Sequence, residues 1–252
     1  MTRLWIYPVI EVACFAGAWS AGGWWTLAWL AGAALALCLA LHVTYHEWAH
    51  QGAPGGLPGE CAITLLIGMP FDGYRWHHLN HHRHANALED FSTTFRAGAS
   101  GPEPQAWLPY ALGWPRQLAR SSAEMRARDR AGTLPPGLGA KVRRQKRWVQ
   151  VALLGLAVVS WRAALAWLAT MYAGWALVAV HNYGQHPPIA HGSGLSTSYR
   201  GALYNRVLCA NGLHHEHHRD PALPWERLAP LADAPRVARP HLLIPPVEEA
   251  SA

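Results

Sequence analysis

Three stretches stand out for the type and spacing of their residues: His46-Glu-Trp-Ala-His50, His78-Leu-Asn-His81-His82 and His214-His-Glu-His217-His218. Imidazole nitrogens bind transition metals, and two of them one helical turn apart can chelate a single ion. His42, His46 and His50 recur every four residues, so on a helix they fall along one stripe. The stretch from His46 to His50 also matches the zincin signature, in which Glu47 would act as general base on a zinc-bound water.

The HxxHH spacing of His78, His81 and His82 recurs at His214, His217 and His218. With 16 histidines in 252 residues, chance yields one such pattern about one time in twenty, and two far more rarely. Asn182 and His186 lie one helical turn apart just before Pro187-Pro188, which stops a helix, and they form a fourth element. The candidates are thus nine histidines (His46, His50, His78, His81, His82, His186, His214, His217 and His218) plus Asn182. One ion cannot use nine imidazoles, whereas two ions with four or five ligands each can. The donor set suits iron, copper, zinc or nickel. A zincin needs only three ligands and leaves the other boxes unexplained. Iron is the economical choice, because O₂ chemistry in or near lipid is what a buried nitrogen-rich metal pair offers.

These boxes need elements to position them, and the composition indicates which. Hydrophobic residues make up 51% of the chain and charged residues 14%, against roughly 25% charged in soluble domains. An all-α integral membrane protein is expected, a transmembrane helical bundle forming one domain over residues 1–252. Fourteen Trp and eight Tyr suit a surface that meets the lipid headgroup layer. Residues 4–45 correspond to about 63 Å of helix, enough for crossings at 4–20 and 24–45 with a turn near Ala21-Gly22-Gly23. Residues 148–181 correspond to about 51 Å and are read as two short crossings, 148–161 and 163–181, turning near Trp161-Arg162. One tilted helix there would put the third box on the opposite side from the first two. Residues 62–71 are too few to span and read as a re-entrant or interfacial piece.

Charge agrees with that layout. Of 21 Lys and Arg, 13 lie between Gln51 and Arg147, six follow Tyr199, and Arg3 joins them, leaving Arg162 alone on the other side. The histidine side is therefore expected to face the cytoplasm in a multi-pass protein. Residues 96–147 turn to Pro, Gly, Arg and Ser and read as a basic cytosolic connector lying on anionic headgroups. The net charge of +6 thus points to the bilayer as partner, with no nucleic acid. Cys14, Cys38, Cys61 and Cys209 are far apart, which gives no disulfide frame and no zinc ribbon. No small-residue cleavage site follows the first apolar stretch, so a removed signal peptide is not expected.

The stretches from Tyr74 to Asn86 and from Asn211 to His218, with Pro221 following, resemble the membrane fatty acid desaturase superfamily. Its members are non-haem di-iron proteins recognised by HxxxH, HxxHH and a final HxxHH. The resemblance runs from His42 to about Leu228. It implies four transmembrane helices under a cytosolic cap, and iron ligation by His46, His50, His78, His81, His82, His186, His214, His217 and His218. Asn182 matches a polar, water-mediated position of the family. The ending from His215 to Trp225 is also similar to the carotenoid ketolase branch, which usually shows HDxxH where this chain has Glu47. Two iron ions, O₂ as co-substrate and an external electron donor of ferredoxin or cytochrome b5 type are therefore expected. The substrate would be an acyl or isoprenoid lipid, desaturated, hydroxylated or ketolated at a C–H bond.

His42, His77, His84 and His215 fall outside the pattern and are expected in structural or solvent-facing places, His77 being the nearest to a ligand position. His191 and His241 carry no signal. Glu47, Asp90 and Glu216 are candidate carboxylates that accept from ligand imidazole N–H groups and fix the tautomer. Two readings of other classes stand beside this one. An intramembrane zinc protease would use only His46 to His50. A metal transporter would need ligands distributed through the membrane rather than gathered on one side.

Overall fold

The computed structural model describes residues 5–189 and 196–242; Arg3, Leu4, His191 and the tail beyond residue 242 lie outside the described residues. The described chain is mostly helical, with one two-stranded antiparallel sheet. It divides into two compact units, one built from the residues up to Trp76 together with Ser122–Trp175, the other from His77–Ser121 and the residues from Ala176 on.

The first unit begins with a helical hairpin, α1 (Ile6–Ser20) and α2 (Trp24–Gln51), broken at residues 21–23, where Gly23 takes φ 60. The helices run antiparallel, with Trp5 against Trp48 at 4.7 Å between ring centroids and the Tyr45 hydroxyl donating to Glu11 Oε2 at 3.1 Å. The C-terminal half of α2, which carries the first histidine box, is almost wholly buried. α3 (Gly56–Ile67) follows, then α4 (Phe71–His84), whose first turns belong to this unit and whose remainder belongs to the second.

Polar clasps fix α4. Gln145, fully buried on α7 (Leu138–Val159), accepts from the Asp72 N–H at 3.0 Å and donates to Asp72 Oδ2 at 2.7 Å. The Tyr74 hydroxyl donates to the Leu41 carbonyl at 3.2 Å, and Arg75 Nε to the Ala49 carbonyl at 2.7 Å, so the last turns of α2 and the start of α4 are tied by backbone acceptors. The early part of α8 (Trp161–Gln185) packs on α2 at Gly174, where a Cβ would lie 2.6 Å from Leu37 Cδ2. Trp175 Nε1 donates to the Ile67 carbonyl at 2.9 Å.

α2 and α8 are long and apolar enough to cross a membrane; α1 and α3 are apolar but shorter, at 15 and 12 residues. The first unit exposes large apolar side chains that water would not favour, among them Val9, Trp24, Trp25, Val151, Leu154, Val158 and Trp161. α7 joins what the sequence reads as two pieces, since its first half carries Lys141 to Arg147 and its second is apolar. It ends at Ser160, whose Oγ accepts from the Ala163 N–H at 3.2 Å and so caps α8. The stretch expected as a basic connector is folded, containing β1 (Phe95–Gly98), β2 (Gly101–Pro104), α5 (Trp107–Leu112), α6 (Trp114–Arg130) and the start of α7.

In the second unit, Phe95 pairs with Pro104 and Gly98 with Gly101 in the β-hairpin. Tyr110 and Ala111 of α5 pack on Ala179 and Tyr183 of α8 as a small core. The end of α8 approaches the chain near His241 so closely that a Cβ at Gly184 would overlap the His241 carbonyl. α9 (Ala202–Val207) and the short α10 (His214–Arg219) complete the unit.

Candidate metal centre

In the second unit, α4, the end of α8 and α10 bring seven histidines together. His78, His81 and His82 come from α4, His186 from the residue after α8, and His214, His217 and His218 from α10. They form two groups. Ring nitrogens of His81, His186, His214 and His218 all lie within 4.8 Å of one another, and so do those of His78, His82 and His217.

The finer geometry is the same in both. His186 Nε2 lies 3.0 Å from His81 Nε2 and 2.9 Å from His214 Nε2. His82 Nε2 lies 3.0 Å from His78 Nε2 and 3.1 Å from His217 Nε2. A ring nitrogen carries either one proton or one lone pair, so it cannot donate to one neighbour and accept from the other. Two nitrogens each about 2.1 Å from a shared ion, at right angles, are about 3 Å apart, which is the separation seen here. His218 sits among the others, with its ring centroid 4.3 Å from that of His82 and 4.6 Å from that of His214. Its Nε2 is buried with no hydrogen-bond partner among the described residues. Converging nitrogens and an unsatisfied imidazole are the signs of a donor set built for cations, and the residues fit a metal in each group.

Electrostatics disfavours protonation of two of the clustered imidazoles. Burial pushes the His214 and His218 imidazoles well below their ordinary range, and neighbouring histidines add to the effect. An unprotonated nitrogen is what a metal requires. Burial also takes His77 down to about 4, opposed by Asp90 and reinforced by His81 and Arg120.

The surrounding contacts aim the rings. Asp90 is fully buried and its Oδ2 accepts from His81 Nδ1 at 2.8 Å, which leaves the lone pair on Nε2. Burial acts to raise the Asp90 carboxyl, but the electrostatic interaction with His81, the hydrogen bond from its Nδ1–H and the N–H groups of Asn86 and Ser92 outweigh it and hold the group low. Those N–H bonds are 2.8 Å and 2.7 Å long. Asn86 sits at φ 68 and its Oδ1 accepts from the Thr94 N–H at 2.8 Å, so the chain turns sharply after α4 and returns Asp90 to it. The fully buried ring of Trp225 packs on His217 at 4.3 Å.

The remaining candidates are placed as follows. His46 and His50 lie one turn apart on α2, in the first unit, with ring centroids 5.1 Å apart. Glu47, between them, accepts from Gln51 Nε2. Asn182 gives its amide nitrogen to the Tyr110 hydroxyl at 2.6 Å and the Ser92 carbonyl at 3.3 Å. Glu216 is buried, and its partners are the Ser198 hydroxyl, the Leu231 N–H at 3.0 Å and Arg200 at 3.5 Å. It thus anchors α10 to the following chain instead of holding an imidazole. His77 turns to Ser92 Oγ at 2.6 Å, and His215 Nδ1 to the Ser196 carbonyl at 3.1 Å. His42 is buried on α2, and His241 lies 3.3 Å from Thr197 Oγ1. Sequence reasoning did not single out Asn86, Ser198 or Trp225 as supports. Of these only the Asn before a tight turn carries a local signal.

A search of curated proteins finds no match. A family model described as fatty acid desaturase matches residues 23–244, nearly the whole chain and all of the histidine boxes. With two nitrogen-rich groups at hand, and apolar helices long enough to cross a bilayer, the chain belongs to the fatty acid desaturase family, whose members are membrane-bound oxidoreductases.

Proposed function

We propose that this protein is an O₂-dependent di-iron oxidoreductase that desaturates or hydroxylates a lipid chain at an unactivated C–H bond. The observation that carries the reading is the repeated geometry of the two groups, a central Nε2 flanked at about 3 Å by two others. The proposed iron ligands are His46, His50, His78, His81, His82, His186, His214, His217 and His218, with Asn182 acting through water. Two irons held by these residues would supply the chemistry of O₂ activation, with electrons coming from an external carrier of ferredoxin or cytochrome b5 type.

The chain's own residues set the conditions for that chemistry. Asp90 holds a proton on His81 Nδ1 and so fixes the ligand tautomer. Burial of His81, His186, His214 and His217 keeps bulk water from the ring nitrogens. Trp225 and the Ser198–Glu216 contact keep α10 from rotating, which fixes the directions of His214, His217 and His218. The exposed apolar faces of α1, α7 and α8 are where an acyl or isoprenoid chain meets the protein from the bilayer. In the proposed membrane arrangement four helices cross the bilayer and the histidines face the cytoplasm.

The test is lipid mass spectrometry on cells producing the wild type or His81→Ala, supplied with a reductase system and carotenoid precursors, alongside metal analysis of both proteins. Two irons per chain and a lipid product found only with the wild type are expected. Loss of two hydrogens identifies desaturation, gain of oxygen hydroxylation, and both together ketolation. One zinc per chain and identical lipid profiles would overturn the reading.

A further inference from the structure

We propose that the basic end of α7 binds the phosphate groups of anionic phospholipids. The inference rests on the lipid-embedded reading of the chain and adds a specific lipid class as partner. Arg143, Arg147, Val151, Leu154 and Val158 are spaced by four, four, three and four residues, so they form one stripe along the helix. All five are exposed. The apolar members are heavily so, at 69%, 66% and 88% for Val151, Leu154 and Val158. The stripe therefore changes from cationic to apolar between Arg147 and Val151, over about 6 Å of helix. Trp148 lies at the change, with the Arg144 guanidinium 5.2 Å from its ring centroid, and an indole at that level suits the headgroup layer.

The helix itself gives no reason for the charges. Lys141 lies in the first turn of α7, where the helix dipole disfavours cations, and that turn holds no acidic residue. Neighbouring carboxylates neutralise only part of the cluster. Glu60 takes Lys141 at 3.2 Å and Arg144 at 3.0 Å, and Asp129 takes Arg143. Lys146 and Arg147 form no ion pair among the described residues, and both are exposed. With the apolar half of the stripe in the bilayer, the adjoining cations, about 6 Å further along the helix, lie at the level of the lipid phosphates. A bilayer with anionic headgroups covers both halves at once.

The full-length protein is placed in nanodiscs of phosphatidylcholine mixed with phosphatidylglycerol and extracted gently, and the lipid retained is quantified by mass spectrometry. Enrichment of phosphatidylglycerol over its input share is expected for the wild type. Each cation at the surface contributes about fivefold to such a preference, so Lys146→Gln with Arg147→Gln should lower it by up to about 25-fold. The charge-preserving pair Lys146→Arg with Arg147→Lys should retain it, which separates loss of charge from loss of fold. Equal retention by wild type and the glutamine variant, or no enrichment in the wild type, overturns the proposal. Weaker binding of an acidic redox carrier to the glutamine variant, with lipid retention unchanged, reassigns the surface to that partner. Iron content and product formation do not enter the readout, so failure here leaves the catalytic reading standing.

Discussion

Asp90 Oδ2 accepts the Nδ1 proton of His81 at 2.8 Å, with both side chains buried, and the same oxygen takes the Asn86 N–H at 2.8 Å. One carboxylate thus joins the turn after α4 to an imidazole of the histidine cluster, and the turn cannot shift without moving that ring. Replacing Asp90 with Asn keeps the shape and removes the charge that favours the Nδ1–H tautomer. Loss of such a partner typically costs 10- to 100-fold in metal affinity. Asp90→Asn should therefore lose iron to a chelator at concentrations about tenfold or more below those needed for the wild type. Equal retention would show that Asp90 only closes the turn.

His215 and His218 are three residues apart on α10 and serve different ends. His218 Nε2 is buried among other imidazoles with no hydrogen-bond partner among the described residues, whereas His215 Nδ1 faces the Ser196 carbonyl. His218→Ala should lower iron stoichiometry by about one ion per chain and abolish product, while His215→Ala should leave stoichiometry unchanged. Metal analysis of the two purified variants checks this. Equal loss from both would mean that the ligand register on α10 is misassigned.

Much of the histidine clustering was legible because residue spacing along a helix is a local property. HxxHH places its members on adjacent turns of one helix whatever the fold, and His78, His81 and His82 do share α4 as His214, His217 and His218 share α10. The supports were not legible, because they join residues distant in sequence. Glu216 looked like an imidazole acceptor by lying between ligands, yet Ser198, Leu231 and Arg200 claim it. The course of α7 was hidden for another reason. Composition changes abruptly near Trp148 while helix propensity does not, so one helix read as the end of a connector followed by a span.

Glu216 offers a test of those supports. Ser198 Oγ donates to it and also accepts the His215 N–H at 3.2 Å, so a buried acid and a hydroxyl hold the start of α10. In Glu216→Gln the amide can reverse its bond with Ser198 but leaves Arg200 without its anionic partner. A cost of about 1–3 kcal/mol in stability is expected. Glu216→Ala should cost more and also reduce iron content, because α10 is freed. Thermal melts and metal analysis in detergent read both effects. Full iron content in Glu216→Ala would show that Trp225 and the other contacts suffice.

Asn86 gives the sharpest prediction for stability. It adopts φ 68, a left-handed conformation that Asn tolerates better than residues without a polar side chain. Its Oδ1 accepts from the Thr94 N–H at 2.8 Å, Thr94 Oγ1 at 3.0 Å and Thr93 Oγ1 at 3.3 Å, all in a fully buried setting. Asn86→Ala would leave a buried N–H unsatisfied and strain the turn, at about 1–3 kcal/mol for the lost bonds and about 1 kcal/mol for the backbone. Asn86→Gly should recover the backbone part alone, because glycine accepts positive φ without strain. The difference between the two variants in unfolding free energy, measured on metal-free protein, isolates that part. If Asn86→Gly were no more stable than Asn86→Ala, backbone strain at this turn would be negligible and the hydrogen bonds alone would account for the asparagine.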